Sequence, residues 1–125
     1  MKLILYGVGG LYLLTAIYMF AAPQVFYDRT PGVAMMGPFN THFIQDAGLA
    51  FLTSGGALLW GGRYRNRSVA IFGAVWVCLH ATLHAWVWIA RGTPLDQVAL
   101  INLVGIRLPA WLALFAAMNL QGDME

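Results

Sequence analysis

Residues 69–90 read VAIFGAVWVCLHATLHAWVWIA, a run of 22 residues with no formally charged side chain. A helix needs about 20 mostly apolar residues to cross a bilayer, and this run meets that length. Three further stretches have the same character: residues 3–22, 39–60 and 98–120. Because lipid cannot hydrogen-bond an open strand, each stretch is predicted to be a helix. The sequence therefore predicts an all-α fold, an integral membrane four-helix bundle with up-down-up-down order, and a single transmembrane domain over residues 1–125.

The composition of the whole chain agrees with a membrane location. Of its 125 residues, 60% are hydrophobic and 10% are charged, whereas soluble domains average about 25% charged residues. This balance excludes intrinsic disorder, and the lone cysteine, Cys78, excludes an intramolecular disulfide scaffold. The net charge of +2 is too small and too scattered for a nucleic-acid surface. The predicted partner is the lipid bilayer, with a homo-oligomer or other membrane subunits as further candidates.

The charged residues lie mostly between the apolar stretches. Ten of the twelve formal charges fall outside them, and the two exceptions are Asp46 and Arg107. Basic residues in short loops mark the cytoplasmic side of a membrane protein. Four of the seven basic residues fall on one side of the predicted bundle: Lys2, Arg63, Arg65 and Arg67. Both termini and the turn at 63–67 are therefore predicted to be cytoplasmic.

The first apolar stretch and the loop that follows it each have an alternative interpretation. A cleaved signal peptide carries roughly 7–15 apolar residues, fewer than this stretch, so a retained span is predicted. The loop at 23–38 contains Pro23, Pro31-Gly32 and Gly37-Pro38, which stop helices and favour turns. It is predicted to fold onto the outer end of the bundle, and a lid over a site is the alternative.

Six polar residues stand inside the predicted spans, and all fall in the outer half of the bilayer. At about 1.5 Å per residue, they lie roughly 5 Å to 15 Å from the outer surface. They are His42, Asp46, His80, His84, Asn102 and Arg107. Ionisable residues are costly inside a membrane and by default indicate a functional site. The common depth on three helices predicts one shared polar pocket.

The spacing of these residues suits several chemistries. His42 and Asp46 are four residues apart, as are His80 and His84, so each pair shares one helix face. Together these four are candidate ligands for a transition metal, and histidines from two helices are candidate ligands for haem b. His42, His84 and Arg107 are candidate cofactor-binding residues. The structural alternative is an Asp46–Arg107 ion pair that fixes helix register, with the histidines hydrogen-bonding across the bundle.

Three motifs carry a resemblance to a known family. They are GPFNTHF at 37–43, followed by Asp46 and Gly48, then HATLH at 80–84 and LPA at 108–110. With them the chain resembles a family of small four-helix bacterial inner-membrane proteins, broadly similar to DoxX-like membrane proteins. The resemblance covers nearly the whole length and implies a multi-pass location in the bacterial inner (plasma) membrane. It supports the choice of the two histidine-containing pairs and implies no particular activity.

The predicted function is a small inner-membrane protein whose polar pocket binds a metal or redox cofactor. Two other hypotheses stay open. One is a non-catalytic accessory or assembly subunit of a larger membrane complex. The other is a quinone-linked membrane enzyme in which Asp46 and His84 exchange protons. No motif assigns a reaction or a catalytic residue, so the sequence alone does not decide whether the chain is an enzyme.

Overall fold

The computed structural model describes residues 1–121, and every regular element in that range is helical. The sequence-based prediction of an all-α fold is confirmed. Asp123 and Glu125, two of the charges that the sequence places in the cytoplasmic tail, lie outside the described residues.

Four long helical stretches account for most of the described chain, and two short helical segments lie in the connection between the first and the second of them. The last long stretch combines two helices and a π-helical segment without interruption, over Gln97–Met118. In chain order the elements are α1 (Lys2–Ala21), α2 (Pro23–Arg29), a 3-10 turn (Ala34–Met36), α3 (Thr41–Arg63), α4 (Arg67–Ala90), α5 (Gln97–Asn102), the π-helical segment (Leu103–Arg107) and α6 (Leu108–Met118).

Polar caps fix where three of these helices begin. The side chains of Asn40, Asn66 and Asp96 each accept a hydrogen bond from the backbone N–H three residues later, at 2.8 to 3.0 Å. Each cap satisfies one of the backbone donors that the first turn of a helix leaves free. The helices therefore start within two residues of the predicted positions 39, 69 and 98.

The four long stretches pack in a ring, in which α1 contacts α3, α3 contacts α4, α4 contacts α6, and α6 returns to α1. Glycines permit the close approaches. A Cβ added at Gly55 would lie 2.8 Å from the carbonyl oxygen of Gly9, and one added at Gly73 would lie 2.8 Å from the Cβ of Ala57. These contacts fit helix association in lipid, where small residues let backbones pack closely.

Three helices of the described chain are long and apolar enough to cross a membrane: α1, α4 and Gln97–Met118. The predicted span at 39–60 corresponds to α3, which has 23 residues but is less apolar than the other three. Its apolar character is diluted by glycines and by polar side chains: His42, Gln45, Asp46, Thr53 and Ser54. Three of the four predicted spans are therefore helices that are long and apolar enough to cross a membrane, and α3 is long enough but not apolar enough.

The loop predicted at 23–38 contains the helix α2 and the 3-10 turn. The Tyr27 hydroxyl donates a 2.7 Å hydrogen bond to the carbonyl of Gly37. The rings of Phe26 and Tyr18 meet edge to face at 5.5 Å, and those of Tyr27 and Phe39 do the same. This segment folds back against the ends of α1 and α3 rather than extending as a tether.

Candidate functional site

Four ring-bearing side chains form a column along α4. Trp76, His80, His84 and Trp88 follow one another at intervals of four residues, and all are half-buried. Trp76 and His80 stack with ring centroids 4.9 Å apart and planes 13° apart, and His80 meets His84 edge to face at 4.6 Å. Side chains four residues apart lie above one another on a helix, so the spacing alone aligns the column.

Phe51 packs against the Trp76 end of the column, and Tyr12 packs against Phe51. The Phe51 ring of α3 lies 5.0 Å from that of Trp76 and 5.7 Å from that of His80. The Tyr12 ring of α1 lies 5.5 Å from that of Phe51. Tyr12 is only 2% exposed, and its hydroxyl has no hydrogen-bond partner among the described residues. The column therefore joins a buried aromatic cluster that holds an unpaired hydroxyl.

Arg107 approaches the other end of the column from the π-helical segment. Pro109 follows two residues later, and because proline lacks an N–H and crowds the carbonyl four residues before it, the regular α-helical ladder is interrupted here. The guanidinium carbon lies 5.2 Å from the Trp88 ring centroid, and one terminal nitrogen donates a long 3.5 Å hydrogen bond to the carbonyl of Ala99. The Nε of Arg107 is buried without a partner in the described chain. Arg107 is also close enough to His84 for electrostatic interaction.

The connection between α4 and α5 fixes the Trp88 end of the column. The Trp88 indole N–H donates to the carbonyl of Pro94 at 2.8 Å, and the Arg91 guanidinium donates to the Asp96 carboxylate at 2.7 Å. The backbone N–H of Ala99, together with Arg91, lowers the pKa of Asp96 from its ordinary value. These bonds fix the start of α5, and with it the helix that carries Arg107.

His42 and Asp46 lie elsewhere. They pair with each other on α3 at 3.2 Å, with side chains 86% and 61% exposed. Within residues 1–121 no ion pair joins Asp46 to Arg107, so the predicted Asp46–Arg107 pair is not formed. The physical reason is the orientation of α3, whose Gly48 and Gly55 face α1 and leave the His42–Asp46 edge pointing outward.

The structure thus divides the predicted site residues into two sets. His80, His84 and Arg107 come together, whereas His42 and Asp46 form a separate exposed pair. Across the described range, no group of three or more His, Cys, Asp or Glu residues is placed to hold a metal ion. The four predicted metal ligands do not form one set, and of the predicted cofactor-binding residues His84 and Arg107 are adjacent while His42 is apart.

Sequence reasoning did not assign the aromatic residues of this site. A signal was available for two of them, because Trp76 and Trp88 extend the His80–His84 spacing by one step in each direction. Phe51 and Tyr12 carry no such signal, since their approach depends on how α1 and α3 pack against α4.

Comparison with family models, with curated proteins and with solved structures finds no match for this chain.

Proposed function

We propose that the chain is an integral membrane protein in which α1, α3, α4 and Gln97–Met118 all cross the bilayer in up-down-up-down order. α3 supports this because it packs between α1 and α4, two helices that are apolar enough to span. A helix held along two spanning neighbours lies at the same membrane depth despite its polar residues. The distribution of basic residues favours cytoplasmic termini and an inner-membrane location.

Within this bundle we propose a binding site for the head group of a lipid-soluble carbonyl compound of the quinone class. The observation that carries the proposal is the buried, unpartnered Nε of Arg107 near the imidazole of His84, which in turn meets the ring of His80. A buried donor without an acceptor costs free energy, so such groups call for a ligand or another explanation.

The residues around Arg107 match the chemistry of a quinone head group. A quinone carbonyl oxygen accepts hydrogen bonds, and guanidinium and imidazole N–H groups supply them. A flat conjugated ring packs well against aromatic side chains, and Trp88 is the aromatic side chain next to Arg107. The half-buried state of the column leaves part of it facing the membrane, from which an apolar molecule arrives.

A metal or haem b is the second candidate and rests on the His80–His84 pair alone. Two imidazoles four residues apart on one helix suit a metal ion. They do not lie on opposite sides of a haem plane, because both project from the same face of α4. A metal would need ligands from outside the described set, whereas an organic head group uses the donors already present.

The test is calorimetric titration of the purified protein, in mild detergent, with a short-chain benzoquinone. We expect saturable binding that is lost in Arg107→Leu and strongly weakened in His84→Leu. Trp86→Phe is the matched control, since Trp86 lies on α4 but is exposed away from the column. Absence of binding by the wild type, or equal binding by all four proteins, would exclude the site. Elemental analysis and an optical spectrum of the same sample identify a resident metal or haem.

A further inference from the structure

The end of the bundle at which α1 begins is basic. The α3–α4 turn and the end of α6 lie at this same end, because the long helical stretches alternate in direction. Its cations are Lys2, Arg63, Arg65 and Arg67. The acidic residues within 1–121 lie toward the opposite end, and they are Asp28, Asp46 and Asp96. The sequence after α6 adds two carboxylates, Asp123 and Glu125, outside the described residues, so the four cations outnumber them.

A cavity of about 450 Å³ opens between α1, the α3–α4 turn and the end of α6. Its lining combines the polar side chains of Lys2, Arg65 and Asn119 with the apolar side chains of Phe115 and Leu120. Lys2 is half-buried and Leu120 is buried, so the cavity reaches below the surface of the bundle. Its volume falls within the range of about 300–1,000 Å³ that small-molecule sites occupy.

The backbone of Arg65 lies in the left-handed region, with a φ of 51°. Glycine or asparagine usually takes such a position, because other side chains are strained there. The N–H of Asn66 donates to the carbonyl of Gly61 at 2.9 Å, and the Asn66 side chain caps α4, so the turn is held in this form. An arginine where glycine would relieve the strain indicates that the guanidinium itself has a use.

We propose that this cavity binds the phosphate of an anionic phospholipid, with Arg65 and Lys2 as the donors. The planar guanidinium matches two phosphate oxygens at once, and the ammonium of Lys2 adds a second positive charge. A guanidinium has several N–H donors, so Arg65 holds a phosphate while keeping its other bonds. Phe115 and Leu120 offer apolar contact to the start of the acyl chains. The inference rests on the proposed membrane location and is independent of the quinone site.

The position of the cavity favours a lipid over a soluble phosphate compound. Two of the three helices that are apolar enough to span begin at this end, and the third ends here. The rings of Trp60 and Tyr64 meet at 4.5 Å at the same end, and such residues are typical of the head-group level of a membrane. Basic pockets between membrane helices bind phospholipid head groups at this level. A zwitterionic head group would add an ammonium that these cations repel, so a lipid of net negative charge matches better.

Native mass spectrometry of the detergent-purified protein tests the site, with dioleoyl phosphatidylglycerol as the probe and dioleoyl phosphatidylcholine as the reference lipid. We expect the wild type to bind phosphatidylglycerol more tightly. Arg65→Gln and Lys2→Gln should each weaken that binding by about tenfold, through loss of a charge-assisted hydrogen bond. Arg67→Gln is the matched control, since it removes the same charge from the same end but lies outside the described lining. It should change the affinity by less than about twofold, because exposed charges act weakly at a distance.

Four outcomes overturn the proposal. Equal affinity of the wild type for the two lipids, or equal weakening by Arg67→Gln and Arg65→Gln, would mean general attraction between charges rather than a site. Displacement of the lipid by glycerol 3-phosphate would show that a soluble phosphate is the ligand. Lipid binding that appears only when Asp123→Asn and Glu125→Gln are combined would show that the cations serve the carboxylates of this chain.

Alkaline carbonate extraction of membranes separates failure of this site from failure of the membrane location. We expect the protein to stay in the membrane pellet. Release into the supernatant would contradict the membrane location and the lipid site together. A protein that stays in the pellet and yet shows no preference for phosphatidylglycerol contradicts the lipid site alone.

Discussion

The guanidinium carbon of Arg107 lies 5.2 Å from the ring centroid of Trp88, and the Nε of the same guanidinium is buried without a partner among the described residues. The first contact is favourable, since a cation over an indole face contributes about 0.5–2 kcal/mol. The second is unfavourable, since a buried unpaired donor costs about 1–3 kcal/mol. Arg107 therefore contributes little net stability to the fold, as is expected of a residue whose role is to bind a ligand.

We expect the free energy of unfolding of Arg107→Leu to be at most about 1 kcal/mol below that of the wild type, or to exceed it. The reason is that removal of the unpaired donor offsets loss of the cation–π contact. Titration with sodium dodecyl sulfate in mixed micelles, followed by circular dichroism, measures this. Trp88→Leu is the comparison, since it loses both the Arg107 contact and the hydrogen bond to Pro94, and should be clearly less stable. Equal destabilisation by the two variants would make Arg107 a structural residue.

The buried hydroxyl of Tyr12 leads to a second prediction. Tyr12 is 2% exposed and its ring packs against Phe51, but the hydroxyl has no partner within residues 1–121. Tyr12→Phe keeps the ring and removes the unpaired group, so it should be neutral or stabilising by up to about 1 kcal/mol. Tyr12→Ala also removes the ring and should cost about 3–5 kcal/mol.

The same detergent titration distinguishes these outcomes, with Tyr18→Phe as the control at an exposed tyrosine. A clear loss of stability in Tyr12→Phe would indicate that the hydroxyl is hydrogen-bonded in the membrane, most simply by a buried water molecule.

The lengths and starts of the long helices were predictable because the signals are local. Apolar runs set the lengths, and caps such as Asn40 and Asn66 sit next to them in sequence. The apolarity of α3 was overestimated, since a run of 22 residues that includes His42 and Asp46 still looks hydrophobic on average. The lower apolarity of α3 is evident only when α3 is compared with the other three long helical stretches.

The site was only partly predictable because spacing assigns residues to a shared face without saying which way that face points. His80 and His84 share a half-buried face of α4, whereas His42 and Asp46 share an exposed face of α3. The difference arises from packing between helices. Gly48 faces Met19 of α1, and a Cβ added at Gly48 would lie 3.2 Å from the Met19 Cβ. Because α3 is oriented with Gly48 toward α1, His42 on another face of α3 points outward.

A third prediction concerns acid stability and Asp96. The N–H of Ala99 and the guanidinium of Arg91 lower the pKa of Asp96 below its ordinary 3.8. A carboxyl group with a lower pKa in the folded state contributes its full stability above pH 3.8 and loses it as the pH falls through the folded pKa. We expect the free energy of unfolding of the wild type to decrease below pH 3.8, and that of Asp96→Asn to decrease less steeply there.

Unfolding curves collected at several pH values between neutral and strongly acidic measure this slope. Asp28→Asn is the control at another aspartate, whose exposed carboxylate accepts a 3.0 Å hydrogen bond from Gln24. Identical slopes for Asp96→Asn and the wild type would mean that Asp96 keeps its ordinary pKa in the folded protein.

The closest approach of α1 and α3 gives a matched pair of glycine substitutions. A Cβ at Gly55 would lie 2.8 Å from the carbonyl oxygen of Gly9 and 3.1 Å from the backbone nitrogen of Leu13, and neither backbone atom can rotate away. Gly55→Ala should therefore cost about 1–3 kcal/mol by overpacking. Gly10→Ala, where nothing lies within 4 Å, should instead be neutral or stabilising by about 0.5–1 kcal/mol, because alanine restricts the unfolded backbone and favours helix. Detergent titration of the two variants measures the difference, and equal stabilities would show that α1 and α3 are further apart in the membrane than the structure places them.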